Sequence, residues 1–209
     1  MIGSLFLTGT DTDVGKTYVA ALLIKALRER GVDAVGMKPI CCGLRLDAEI
    51  LHEACDAAIP LNEVNPVWLR TPAAPYTAAL IENRPIDLAL IRETYSRLRK
   101  RHSALIVEGV GGWRVPITER YFVSDLAIEM GLPVAVVVAN KLGALNHALL
   151  TVESVKASGL ICAGIILNEN SAVTCDLAAS TNRSVLESLL DVPVLFEIKH
   201  GENGLIMAG

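Results

Sequence analysis

Residues 9–17 read Gly-Thr-Asp-Thr-Asp-Val-Gly-Lys-Thr and follow the apolar run Ser4-Leu5-Phe6-Leu7. A strand running into a glycine-bearing loop that ends in Gly15-Lys16-Thr17 has the features of a phosphate-binding loop. Its backbone N–H groups cradle phosphates, the lysine reaches the β- and γ-phosphates, and the hydroxyl after it binds Mg²⁺. Val19, Leu22, Leu23, Ala26 and Leu27 then recur at helical spacing. The phosphates would therefore sit on a helix N-terminus, where unpaired N–H groups and the helix dipole favour anions. The usual pattern has a glycine five residues before the second one. Here that position is Thr10, and the glycine stands one residue earlier, at Gly9. An ordinary strand–helix turn is the bland alternative, but strand, helix and terminal triplet agree on the loop.

Composition sets the frame. A chain of 209 residues with 52% hydrophobic and only 4% aromatic residues suits one domain, a P-loop ATPase-like unit over residues 1–209, with aliphatic helices packed on a parallel sheet. The net charge of −4 supplies no basic field for nucleic acid. The five cysteines, Cys41, Cys42, Cys55, Cys162 and Cys175, form no C-x-x-C pair, so a reducing cytoplasm is expected rather than a disulfide framework or zinc site. The N-terminus lacks the basic region of a signal peptide. The most apolar stretch, Leu132 to Ala139, falls far short of the roughly 18 residues that span a bilayer, so no membrane association is expected.

Strand-like runs recur at Ser4–Leu7, Ala34–Met37, Ala104–Val107, Val134–Ala139, Ala163–Leu167 and Val194–Ile198. Helical patterns lie between them, including one opened by Asp87 as N-cap and others at Ala144–Ala157 and Leu177–Leu190. The alternation predicts an α/β fold: a three-layer, doubly wound, mostly parallel sheet with flanking helices, of the P-loop NTPase type. Residues 60–86, rich in proline, read as a loop-like excursion. The cationic cluster 97–102 reads as a solvated helix C-terminus complementing the dipole rather than as a polyanion patch.

In such a sheet ligands bind at the carboxyl ends of the strands. The second strand ends in Lys38-Pro39, and a cation there can stabilise a transferring phosphoryl group. The third ends in Glu108, with Gly109, Gly111 and Gly112 following. A carboxylate in that place holds Mg²⁺ in P-loop enzymes, and the glycines let backbone approach a ligand. Asp47 reads either as a helix N-cap or, with Thr17 and Glu108, as part of an oxygen shell for Mg²⁺. Asn168, closing the fifth strand, offers a donor and an acceptor to a base edge. Asn140-Lys141-Leu142-Gly143 lacks the aspartate of a guanine-specific signature.

GTDTDVGKT (9–17), KPICCG (38–43), LDAEIL (46–51), APYTAA (74–79), VEGVGGWRVPI (107–117), NKLGALNHALLT (140–151) and ILNEN (166–170) occur in this order. Together they resemble the dethiobiotin synthetase family. The resemblance implies a cytoplasmic homodimer that uses ATP and Mg²⁺ to close a cyclic urea from 7,8-diaminopelargonate and CO₂. It implies that Asp13, Val14, Gly15, Lys16, Thr17 and Tyr18 hold the nucleotide with Glu108 and Asn168. Thr17, Asp47 and Glu108 would carry Mg²⁺, and Thr12, Lys16 and Lys38 would surround the carbamate and the transferred phosphoryl group. Cys42, where the family usually has serine or threonine, and Gly111 would line the substrate site. Gly143, Ala144, Leu145 and Asn146 would bind the substrate carboxylate, reaching into the partner subunit's site. The resemblance also departs after Phe196-Glu197-Ile198, where Lys199-His200-Gly201 stands in place of the family's usual proline.

A partition- or septum-type switch ATPase is the competing reading. Those proteins carry a signature lysine where this loop has Asp11, and Gly204–Gly209 is too short and uncharged for their membrane-targeting tail. A cobyrinate-type amidotransferase would need a glutamine-hydrolysing domain for which 209 residues leave no room.

Overall fold

The computed structural model describes residues 3–169 and 177–205. In chain order the elements are β1 (Leu5–Gly9), α1 (Lys16–Glu29), β2 (Ala34–Met37), β3 (Ile40–Cys42), α2 (Leu46–Ala54), α3 (Leu61–Val64), β4 (Val67–Leu69), α4 (Pro75–Ile81) and α5 (Leu88–Arg101). They continue with β5 (Ala104–Gly112), β6 (Pro116–Thr118), β7 (Tyr121–Phe122), α6 (Val123–Met130), β8 (Val134–Ala139), α7 (Ala144–Ala157), β9 (Cys162–Asn168), α8 (Leu177–Leu189) and β10 (Val194–Ile198).

Six strands form a parallel sheet in the order β10-β9-β8-β1-β5-β2. These are the six strands read from sequence. Their continuous apolar character follows from burial on both faces: every residue of β1, β2 and β8 is buried. The crossover through α1 runs one way along the sheet, and those through α5, α6, α7 and α8 run the other. With right-handed crossovers, α1 covers one face and α5–α8 the other. Because all six strands are parallel, their carboxyl ends lie along one edge of the sheet.

The structure corrects two expectations. Residues 60–86 are not loop-like, since they contain α3, β4 and α4, with β4 pairing in parallel with β3. The prolines mislead because they stand at helix starts, Pro60 before α3 and Pro75 in the first turn of α4, where a missing N–H costs nothing. Nor is Asp47 an N-cap. Helix α2 starts at Leu46 behind Arg45, so Asp47 lies inside the first turn with its carboxylate free for other work.

Two others hold. Asp87 caps α5, accepting from the Leu90 N–H at 2.9 Å. The cationic cluster is spent locally, with Arg99, Lys100 and Arg101 in the last turn of α5, Arg101 paired to Glu63 at 3.0 Å, and His102 against Asp33 at 3.0 Å.

Candidate active site

The phosphate loop explains its displaced glycine. Lys16 folds back so that its ammonium donates to the Asp11 carbonyl at 2.8 Å. A Cβ at Gly9 would stand 2.9 Å from that ammonium and 2.7 Å from the Asp11 carbonyl. Gly9 is thus the floor under the lysine. Gly15 is required twice over, because its φ of +88° is left-handed and a Cβ there would lie 2.1 Å from the Asn168 amide nitrogen. That amide donates to the Val14 carbonyl at 3.0 Å, so the end of β9 braces the loop. Val14 is buried, Asp13 has a left-handed φ of 56°, and Thr12 is exposed beside Gly111. The Tyr18 hydroxyl donates to the Glu202 carbonyl, which brings the segment after β10 to the same helix. Nothing in the sequence signals that contact.

Beneath the loop is a buried charge cluster. Glu108 stands opposite Leu7 in the β5–β1 register and is 1% exposed. Its Oε1 accepts from Thr17 Oγ1 at 2.9 Å and from Lys38 Nζ at 2.5 Å. Lys38, 3% exposed, also meets Asp47 Oδ2 at 2.9 Å. Four segments distant in sequence thus meet: the α1 start, the end of β2, the α2 start and β5.

The charges tune one another. Burial works against the charge on Lys38, but Glu108 and Asp47 outweigh it and hold the ammonium above the ordinary lysine range. Burial raises the Glu108 carboxyl, and Lys38 only partly restrains it. Asp47 feels some burial, yet Lys38 and the Thr17 hydroxyl keep it below the usual carboxylate range. Lys16 is pulled down to about 8 by burial and by the neighbouring Lys38 charge. An anion arriving beside Lys16 would restore the ammonium charge that burial and Lys38 weaken, while the ionised Asp47 carboxylate suits a cation.

One atom bears on a metal. Glu108 Oε2 is buried with no hydrogen-bond partner. Such a carboxylate oxygen is costly unless a cation or donor reaches it. Among the described residues no group of three or more His, Cys, Asp or Glu side chains gathers at metal-binding spacing. A hydroxyl and two carboxylates suit Mg²⁺, which fills its remaining positions with phosphate oxygens and water. The set fits that ion.

The other sequence-derived residues stand outside the bonds that tie Thr17, Lys38, Asp47 and Glu108 together. Gly143, with φ +90°, Ala144, Leu145 and Asn146 form the first turn of α7 at the end of β8, with Gly143 and Asn146 exposed. Asn168 Oδ1 is buried and unpartnered, so its acceptor remains free while its donor is committed to the loop.

Cys42 closes β3, and its thiol is pushed up to about 11 by burial and by the Glu82 charge. Thiolate is the reactive form, so at pH 8 Cys42 should react with a disulfide probe about tenfold more slowly than an unperturbed cysteine, the scarcity of thiolate being partly offset by its greater nucleophilicity. Stopped-flow thiol titration with Cys42→Ala as reference checks this. The four described cysteines, Cys41, Cys42, Cys55 and Cys162, are free thiols, and Cys175 lies outside the described residues.

Comparison with known proteins adds to this geometry. Residues 3–203 match the family model described as an AAA domain. The chain is 48% identical over 204 residues to the ATP-dependent dethiobiotin synthetase BioD of Akkermansia muciniphila, covering 98% of this chain and 95% of that one. This chain belongs to the ATP-dependent dethiobiotin synthetase family. Further members are the synthetases of Aromatoleum aromaticum, 44% identical over 93% of this chain and 89% of theirs, and of Bacillus velezensis, 39% identical over 92% and 84%.

Solved structures extend the likeness at the level of fold. The septum site-determining protein MinD from Pyrococcus horikoshii, complexed with Mg-ADP, superposes with a TM-score of 0.57 at 18% identity, covering 95% of this chain and 82% of its own. The signal recognition particle receptor FtsY of Elizabethkingia anophelis superposes with 0.58 at 12% identity, covering 98% and 60%. These identities speak for a shared P-loop NTPase fold and do not favour a switch ATPase over a dethiobiotin synthetase.

Proposed function

We propose that this chain is an ATP-dependent cyclo-ligase that converts 7,8-diaminopelargonate, CO₂ and ATP into dethiobiotin, ADP and phosphate. The observation that carries the reading is the buried Lys38–Glu108–Asp47–Thr17 cluster under a phosphate loop, in a chain of this family. One P-loop ATPase-like domain over residues 1–209, working in the cytoplasm, serves the whole reaction.

The chemistry asks for charge neutralisation and positioning. One amine of the diamine captures CO₂ as a carbamate anion and releases a proton. Carbamate oxygen leaves poorly until it accepts the γ-phosphoryl group of ATP, which gives a carbamic-phosphoric anhydride and ADP. The second amine then attacks the carbonyl carbon, the C–O bond to phosphate breaks, and the ring closes with loss of phosphate and a proton. Phosphoryl transfer passes through a loose transition state that needs alignment and cations more than a protein nucleophile. Lys16 and the amides of residues 13–17 hold the phosphates, with Tyr18 beside them. Lys38, freed from one of its carboxylates, faces the transferring phosphoryl group, and Thr12 donates to the carbamate. Thr17, Asp47 and Glu108 would hold Mg²⁺, which neutralises phosphate charge when bound. Cys42 and Gly111 line the diamine's path, and Asn168 offers Oδ1 to the adenine amino group.

Asn146, with Gly143, Ala144 and Leu145, would serve the substrate carboxylate at the α7 N-terminus of a partner subunit. In that homodimer, sedimentation at working concentration should give twice the mass of one 22.3 kDa chain. A fully active monomer would contradict the shared site. The reaction itself is tested by incubating pure protein with the diamine, bicarbonate, Mg²⁺ and ATP. Dethiobiotin should appear by mass spectrometry in step with ADP. Robust ATP hydrolysis without the diamine, and no product with it, would instead mark a switch ATPase.

A further inference from the structure

Lys38 stands at a weak point of the backbone. Strand β2 is the outer strand of the central sheet, and its pairing with β5 stops at Met37 opposite Val107. Pro39 follows, supplying no N–H and biasing Lys38 to extended backbone. The Lys38 peptide is therefore fastened from elsewhere. Its N–H donates to the Val64 carbonyl at 2.7 Å, and its carbonyl accepts from the side-chain amide of Asn65 at 2.8 Å.

Asn65 is 1% exposed and fully engaged. Its Nδ2 also donates to the Val67 carbonyl at 2.9 Å, and its Oδ1 accepts from Arg45 Nε at 2.9 Å. Arg45 adds a 2.7 Å bond from Nη2 to the Asn65 main-chain carbonyl. Only one amide orientation fits. The reverse would set Oδ1 against two carbonyl oxygens and the NH₂ group against a guanidinium.

We propose that Asn65 is a positioning residue for the dethiobiotin reaction, locking the backbone of Lys38 so that its ammonium is aimed at the transferring phosphoryl group. This rests on the role given to Lys38 above. The lysine reaches its site through four flexible bonds, with Glu108 and Asp47 holding its tip and Asn65 holding its base. When the tip leaves a carboxylate for the phosphoryl group, the base still sets its aim. A shift of about 1 Å at a reacting group costs on the order of a hundredfold in rate. Asn65 touches neither the phosphate loop nor α7 through these bonds, so its loss should spare nucleotide binding.

Asn65→Asp keeps the size and the acceptor facing Arg45 but removes both donors, and Asn65→Leu removes all three bonds. Turnover per ADP-binding site should fall about 10- to 100-fold, while the ADP Kd and the KM for the diamine stay within about threefold of the parent. In a Lys38→Ala background the same substitutions should change the residual turnover by less than about twofold, because the group they position is gone. Parental turnover in an Asn65 variant that binds ADP normally would overturn the proposal. So would an equal loss with and without Lys38, which would mark a merely structural amide. Lys38→Ala alone separates the two readings: if it turns over normally, the role of Lys38 has failed whatever Asn65 does. Should Asn65→Leu not fold, Asn65→Ser, which retains one donor, is judged by the same criteria.

Discussion

Lys38→Ala should lower the rate of ring closure about 10²- to 10³-fold, the usual cost of deleting one preorganised charge at a transition state. ADP affinity should stay within about threefold, because the loop amides and Lys16 still hold the phosphates. The two lysines are separable on structural grounds. Lys16 rises from the loop itself and bonds the Asp11 carbonyl, whereas Lys38 comes from another strand and is held by Glu108 and Asp47. Single-turnover product formation by mass spectrometry, set beside calorimetric ADP binding, checks the split. Equal losses in both would make Lys38 a nucleotide anchor and remove its place in phosphoryl transfer.

Much of this geometry is legible in the sequence. A parallel sheet gathers its strand ends at one edge, so Lys38 and Asn168 are assigned there from two apolar runs. Glu108, read as closing the third strand, instead lies inside β5, which continues through the glycines to Gly112 because they pair on alongside β1. The long buried strands were readable because burial on both faces demands unbroken apolar stretches. The short elements were not. Strands β3, β4, β6 and β7 have two or three residues each, too few for any period to declare itself. Helices α3 and α4 were hidden by prolines that open helices as readily as they form loops. Two features of the site lay beyond sequence for a different reason. The grip of Lys38 on Asp47 and the seat of Lys16 over Gly9 depend on how side chains fold back in three dimensions. Asn65 falls in the proline-rich stretch 60–86, and its three side-chain partners, Lys38, Val67 and Arg45, come from the fold rather than from any local pattern.

The same cluster should also weigh against stability, and a pair of variants exposes this. Lys38→Met leaves Glu108 buried without its cation and should cost about 3–5 kcal/mol, the penalty for breaking a buried ion pair from one side. The double variant Lys38→Met, Glu108→Gln removes both charges. It should recover most of that loss and can exceed the parent, because a buried pair rarely repays its desolvation. Three observations support the sign. Glu108 carries an unpartnered buried oxygen, burial raises its carboxyl, and the Lys38 charge lowers the neighbouring Lys16. Asp47, with a half-exposed side chain, can turn to water when Lys38 is gone. Chemical denaturation of parent, single and double variants measures the ordering, and the double variant should be inactive throughout. A double variant as unstable as the single would mean that the lysine stabilises the fold through its packing. The charges would then lose their standing as features kept for catalysis at the expense of stability.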